Sequence, residues 1–202
     1  MSSKQKPLLL VVSAPSGAGK SSLCNRLLEK FPQMVYSISC TTRAPRGNEQ
    51  DRVHYHFLSE EEFCKRISNG EFLEHARVHG NRYGTLKQTV YAALAQGRDI
   101  IMDIDVQGAR QIRQACAALA DDDAIKQSLV DIFVAPPSME ELRRRLCGRS
   151  TDSAEVIEKR MLNAADEMKH QPDYQHTVIN DILERAVDEL AEIIAQEHHN
   201  RW

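Results

Sequence analysis

The sequence predicts an α/β protein: a three-layer core around a mostly parallel sheet, with a smaller lobe inserted into it. Three observations carry this. Short apolar runs alternate with helical patterns along most of the 202 residues. A glycine-rich loop joins the first apolar run to the first helical pattern. The alternation breaks between residues 34 and 97.

Taken in order, residues 8–12 (LLLVV) lie between Pro7 and Ser13-Ala14-Pro15 and read as a strand buried on both faces, as in a parallel sheet. Residues 21–30 carry Leu23, Leu27 and Leu28 on one stripe and stop at Phe31-Pro32, the pattern of a helix. The interrupted stretch 34–97 holds strand-like pieces at 53–57 and 71–74 and a helix start at Ser59-Glu60-Glu61-Glu62. It is expected to be a lobe with its own small sheet. Strands follow at 99–104, 129–134 and 176–179, with helices at 106–119, 138–147, 155–169 and 182–199. The helical pattern breaks at 147–152, which suits a short mobile lid.

Composition narrows the function. Lys and Arg number 26 against 29 Asp and Glu, a net charge of −3, so no basic footprint for nucleic acid is present. The longest apolar run is far below the ~18 residues of a membrane span and too short for a signal-peptide core. The expectation is a globular protein of the cytoplasm that engages neither nucleic acid nor membrane. Cys24, Cys40, Cys64, Cys116 and Cys147 form no C-x-x-C pair, which argues for buried or half-buried thiols in a reducing compartment and against zinc. His54 with His56, and His198 with His199, lack ligand company and read as surface histidines.

The chemistry lies in Ala14-Pro15-Ser16-Gly17-Ala18-Gly19-Lys20-Ser21-Ser22, which nearly fits the phosphate-binding P-loop G-x-x-x-x-G-K-[ST]. Ala14 takes the place of the first glycine and raises a question about loop geometry, because alanine tolerates positive φ poorly. Gly17 and Gly19 allow backbone N–H groups to curl around phosphate oxygens, and the following helix N-terminus adds partial positive charge. Lys20 can reach the outer phosphates of a nucleoside triphosphate, and the Ser21 hydroxyl suits Mg²⁺. Asp103, at the end of a buried strand close to the expected phosphates, is a candidate partner of the same ion, acting through its ligands rather than touching it.

Beyond the loop, the chain resembles the guanylate kinases from residue 8 to about 198. The likeness rests on SAPSGAGKSS at 13–22, SCTTRAPR at 39–46, HYHF at 54–57, EFLEHARVHGNRYGT at 71–85, DIDVQGA at 103–109, APPS at 135–138, RLCGRS at 145–150 with EKR at 158–160, and VIND at 178–181. It departs from the family pattern at Ala14, Ser150 and Ile182, and in a longer stretch near 117–126.

The resemblance implies one domain over 1–202: a P-loop kinase core at about 1–34, 98–146 and 170–202, a GMP-binding lobe at 35–97, and a helical lid at 147–169. It implies ATP and Mg²⁺ on one side and GMP, with dGMP as a second acceptor, on the other. Ser39, Arg43, Arg46, Tyr55 and Tyr83 match the positions around the acceptor phosphate, and guanidinium forks suit a phosphate dianion. Glu74, Thr85 and Asp105 match the guanine-reading positions; a carboxylate can accept from guanine N1–H and its 2-amino group, and a hydroxyl can donate to O6. Arg149 and Arg160 match the lid arginines that close on the transferring phosphoryl group. Asn180 matches a position beside the adenine, where Arg149 could stack. Lys20, Arg43, Arg149 and Arg160 are thus the catalytic set.

Arg143-Arg144-Arg145 point in different directions on a helix and read as a solvated face. A related but inactive peptide-binding module and a P-loop kinase with another small acceptor remain open as alternatives, and so does a homo-oligomer.

Overall fold

The structure is a computed structural model and describes residues 6–78, 80–148 and 153–201. Its centre is a five-stranded, wholly parallel sheet. The strands are β1 (Leu9–Ser13), β2 (Val35–Tyr36), β7 (Ile100–Asp103), β8 (Leu129–Ala135) and β9 (His176–Ile179), in the order β2-β7-β1-β8-β9. β1 lies in the middle and is buried along its whole length, as its unbroken apolar run requires.

Alternation along β1 divides the core in two. Leu8, Leu10 and Val12 pack with Val130, Ile132 and Val178 under helices α1 (Lys20–Lys30) and α8 (Leu183–Asn200). Leu9 and Val11 pack with Ile100, Met102 and Phe133 under α3 (Lys87–Ala95) and α4 (Val106–Ala117). Each fully buried leucine or isoleucine stabilises this sandwich by about 1.5–3 kcal/mol relative to exposure.

The second sheet is mixed: β4 (His56–Phe57), β3 (Cys40–Thr41), β6 (Asn81–Leu86) and β5 (Phe72–Val78), in that order, with only β3 and β4 parallel. Helix α2 (Glu60–Ser68), N-capped by Ser59, covers it. Its Phe63 stacks on Phe72 at 4.4 Å between ring centroids. Helices α6 (Met139–Cys147) and α7 (Ala154–Met168), N-capped by Ser138 and Ser153, pack together through Leu142, Leu146 and Ala164. Among the described residues no helix is long and apolar enough to cross a membrane.

Several sequence expectations need correction. The strand expected over 53–57 shrinks to β4, because residues 52–54 form a turn and Val53 is exposed. The lobe drawn at 35–97 is too wide at both ends: β2 hydrogen-bonds to β7 in the core sheet, and α3 buries Val90, Ala93 and Leu94 against it. The long stretch near 117–126 leads into a short helix, α5 (Ala124–Ser128), capped by Asp123. His198 is a buried histidine, its ring held by Lys6 O and Asp99 at 3.0 Å each. The five cysteines are free thiols, and Cys147 is exposed rather than buried.

Candidate active site

The site lies at the carboxyl ends of β1 and β7, the usual place for ligands on a parallel sheet. The loop from Ala14 to Gly19 leaves β1 and opens α1, whose N-terminus has no side-chain cap and ends on Gly19 in the left-handed region. An uncapped helix start leaves its N–H donors and positive dipole end available to an anion. Gly17 and Gly19 have φ of 96° and 92°, as the sequence anticipates. A Cβ on Gly17 would come within 2.8 Å of Leu146 on α6, and one on Gly19 within 2.4 Å of Asn180 Nδ2. Ala14 is buried and does not need the left-handed region, since Arg52 is the only described non-glycine residue with positive φ. The missing first glycine is therefore harmless to the backbone. Pro15 is buried behind the loop, while Ser16 and Ser22 are exposed.

Lys20, Ser21 and Asp103 form one unit. Lys20 Nζ lies 2.6 Å from Asp103 Oδ1 and donates to Ile104 O at 2.5 Å; Ser21 Oγ donates to Asp103 Oδ2 at 3.1 Å. β-sheet register explains the meeting, because Asp103 pairs with Val12 at the end of the neighbouring strand.

Some distance along the same rim, Arg43 is almost buried and surrounded by polar and aromatic groups. Its Nε donates to Tyr83 Oη at 3.3 Å, and its guanidinium carbon is 5.3 Å from the centre of the Tyr55 ring. Glu49 grips it with both carboxylate oxygens, at 2.9 and 3.0 Å, and also accepts from Arg46 N at 2.8 Å. Arg43 first, then the Arg46 N–H, pull the Glu49 carboxyl down to about 2, and the same contact raises Arg43. The Arg46 side chain is exposed, and Ser39 is half-buried just before β3.

Glu74 and Thr85 are register partners on β5 and β6, and both are buried. Thr85 Oγ1 finds no hydrogen-bond partner among the described residues. Burial chiefly, then the negative charge of Asp105, raises the Glu74 carboxyl to about 7. Helix α4 starts beside it: Asp105 caps the Gly108 N–H at 2.8 Å, and a Cβ on Gly108 would lie 3.3 Å from Glu74 Oε2. Gln111 on the same helix accepts from His75 N at 3.0 Å, tying α4 to β5. A buried carboxylate and a buried hydroxyl without a well-formed hydrogen bond, near enough for the hydroxyl to favour the ionised Glu74, suit a polar planar ligand that supplies partners to both.

On the lid side, Arg160 is half-buried on α7. Arg149, together with Ser150, lies outside the described residues. The sequence sets Asn180 beside the adenine; the structure adds that Asn180 is buried and that its Nδ2 donates to Ala18 O at 2.7 Å, which ties it to the phosphate loop. The arginine run is more than a solvated face. Arg143 pairs with Glu158 of α7, Arg144 with Glu141, and half-buried Arg145 with Glu141 and the carbonyl of Asn180.

Three carboxylates escaped the sequence reading or its assigned role. Glu49 sits three residues after Arg46, but only the folded loop turns it onto Arg43. Asp103 was read as a magnesium partner and is also the counter-ion of Lys20. Glu167, two helical turns after Arg160 and so on the same face of α7, accepts from Ser16 N at 3.3 Å. Burial, and after it Asp105, raises the Glu167 carboxyl above its usual range.

Fold and site together define a P-loop protein of the small-kinase class. The guanylate kinase family profile matches residues 5–197. The chain belongs to the guanylate kinase family. It is 48% identical over 194 residues to a guanylate kinase of Syntrophotalea carbinolica, covering 96% of this chain and 88% of that one. Over 186 residues it is 48% identical to a guanylate kinase of Chromohalobacter salexigens, covering 92% and 82%. The crystal structure of guanylate kinase from Anaplasma phagocytophilum superposes with a TM-score of 0.72 at 34% identity, covering 96% of this chain and 88% of that one. A gluconokinase from Sinorhizobium meliloti, at 15% identity and a TM-score of 0.53, shares the fold alone.

Proposed function

We propose that the protein catalyses ATP + GMP ⇌ ADP + GDP in the cytoplasm, with dGMP as a second acceptor. The observation that carries this is the buried Glu74–Thr85 pair, with Asp105 alongside, in the lobe whose strand β6 holds Tyr83 against Arg43. One end of this lobe offers acceptors and a hydroxyl for guanine, and the other a guanidinium and phenol for its 5′-phosphate.

The acceptor oxygen belongs to a phosphate that is already ionised near neutral pH, so no strong general base is required. Catalysis then rests on alignment and on neutralising charge. Lys20 and the N–H groups at the start of α1 hold the donor phosphates, while Arg43 and Arg46 hold the acceptor. Arg160, with Arg149 as its partner, covers the phosphoryl group in transit. Asp103 keeps Lys20 at the loop until a triphosphate draws it away. Ser21 Oγ and Asp103 are hard oxygen donors of the kind Mg²⁺ prefers alongside phosphate oxygens, so these two residues fit the ion. Bound there, Mg²⁺ would supply charge neutralisation at the donor phosphates.

A coupled assay of ADP formation with GMP, AMP, UMP and CMP tests the proposal. Mg²⁺-dependent turnover confined to GMP and dGMP is expected. Equal turnover of AMP, or GMP binding without any turnover, would contradict it.

A further inference from the structure

Asn180 follows β9 directly, and the sheet fixes its backbone: its N–H donates to Ala135 O on β8 at 2.8 Å. The residue is 4% exposed, and its Nδ2 donates to Ala18 O at 2.7 Å in a buried hydrogen bond. Helix α6 clamps the same segment from the other side. Arg145 Nη2 donates to the carbonyl oxygens of Asn180 and Asp181 at 3.0 and 3.4 Å, while Glu141 holds Arg145 Nε at 2.9 Å.

A trans peptide carries its C=O and its following N–H on opposite sides. With the Ala18 carbonyl held on Asn180, the N–H of Gly19 is aimed the opposite way, away from Asn180. This peptide joins Ala18 to Gly19, whose φ of 92° shows the freedom of a residue without Cβ, so local sterics alone do not secure its orientation. A reversed peptide would put a carbonyl oxygen where the phosphate must sit.

We infer that Asn180 is a positioning residue of the phosphate loop: it holds the Ala18 carbonyl so that Gly19 N–H faces the donor phosphates, and Arg145 holds Asn180 in place. This rests on the reading of the loop as the donor site.

The two roles separate with a ligand that has no base. Calorimetry on the full chain would compare ATP, inorganic tripolyphosphate and GMP. Asn180→Ala should weaken ATP and tripolyphosphate together, roughly tenfold for the loss of one buried hydrogen bond, and leave GMP within about twofold. Asn180→Asp should be worse, because a carboxylate would face the Ala18 carbonyl. Tripolyphosphate affinity unchanged while ATP weakens would overturn the inference, since Asn180 would then touch the base; so would no change in either. If Asn180→Ala also loses GMP and melts early, Arg145→Leu decides. It should show the same joint loss of ATP and tripolyphosphate with GMP retained, and unchanged affinities would overturn the inference. A wild-type protein that binds neither ATP nor tripolyphosphate would overturn the donor-site reading itself, and this inference with it.

Discussion

Replacing Glu74 by glutamine should make the protein more stable and less selective at the same time. In the folded chain the Glu74 carboxyl titrates at about 7 against an ordinary value of 4.5, chiefly because it is buried. Between those pH values the folded state holds a proton that the unfolded state has lost, so stability falls as pH rises from 4.5 towards 7 and then levels off. At 1.36 kcal/mol per pH unit, the ionised carboxylate costs at most about 3 kcal/mol at pH 8. Glu74→Gln removes that cost while keeping the shape. Urea titrations at pH 4.5 and pH 8 would measure it: near-equal stabilities at pH 4.5, and the variant ahead by up to about 3 kcal/mol at pH 8, are expected. Kinetics with GMP and AMP form the other half. An amide offers one acceptor where guanine needs two, so kcat/KM for GMP should fall and the GMP-to-AMP ratio shrink by a factor on the order of 100 or more. A stability difference that is the same at both pH values would refute the titration argument. An unchanged nucleotide ratio would refute the assignment of Glu74 to the base.

Other expectations are more direct. Lys20→Met should abolish most turnover yet leave GMP affinity nearly intact, because Lys20 serves the donor side; calorimetry that shows GMP lost as well would contradict this division. Arg160→Ala should lower kcat more than it raises KM for GMP, since its contact strengthens as charge moves in the transition state, and an unchanged kcat at saturating ATP and GMP would remove it from the mechanism. Arg52 holds φ of 63° in an exposed turn, so Arg52→Gly should stabilise the protein by about 0.5–1 kcal/mol, and a drop in Tm would count against it.

The parts of the fold and site that were readable from sequence are those set by local chemistry. An unbroken apolar run of five between Pro7 and Pro15 suits a strand covered on both sides, and glycines before Lys20 between a strand and a helix suit a loop built for phosphate. The lobe was visible as a break in period, yet its edges were not. Val90, Ala93 and Leu94 show a helical stripe but do not say which sheet they cover, and Val35-Tyr36 is too short to declare its partner strand. Side-chain direction was the least legible. Nothing in VIND says that the Asn180 amide donates to the Ala18 carbonyl. Glu49 and Glu167 look like ordinary surface acids until the fold brings Arg43 and Ser16 against them. His198 was misread for the same reason, since its partner Asp99 lies 99 residues earlier.

The carboxylates that occupy the site have a consequence for life in a crowded solution. Asp103 sits on Lys20, Glu49 on Arg43, and Glu167 on an N–H of the loop. Physiological solutions are rich in small anions, and a row of bare cations would hold them indiscriminately. Here every incoming anion must compete with a tethered acid whose local concentration is fixed by the chain. A single inorganic ion gains too little to win that exchange at several points. A nucleotide that engages several groups in one binding event can: the donor through the loop and Lys20, the acceptor through Arg43 and the Glu74 pocket. The internal acids thus act as a threshold, and the length of the substrate is what crosses it.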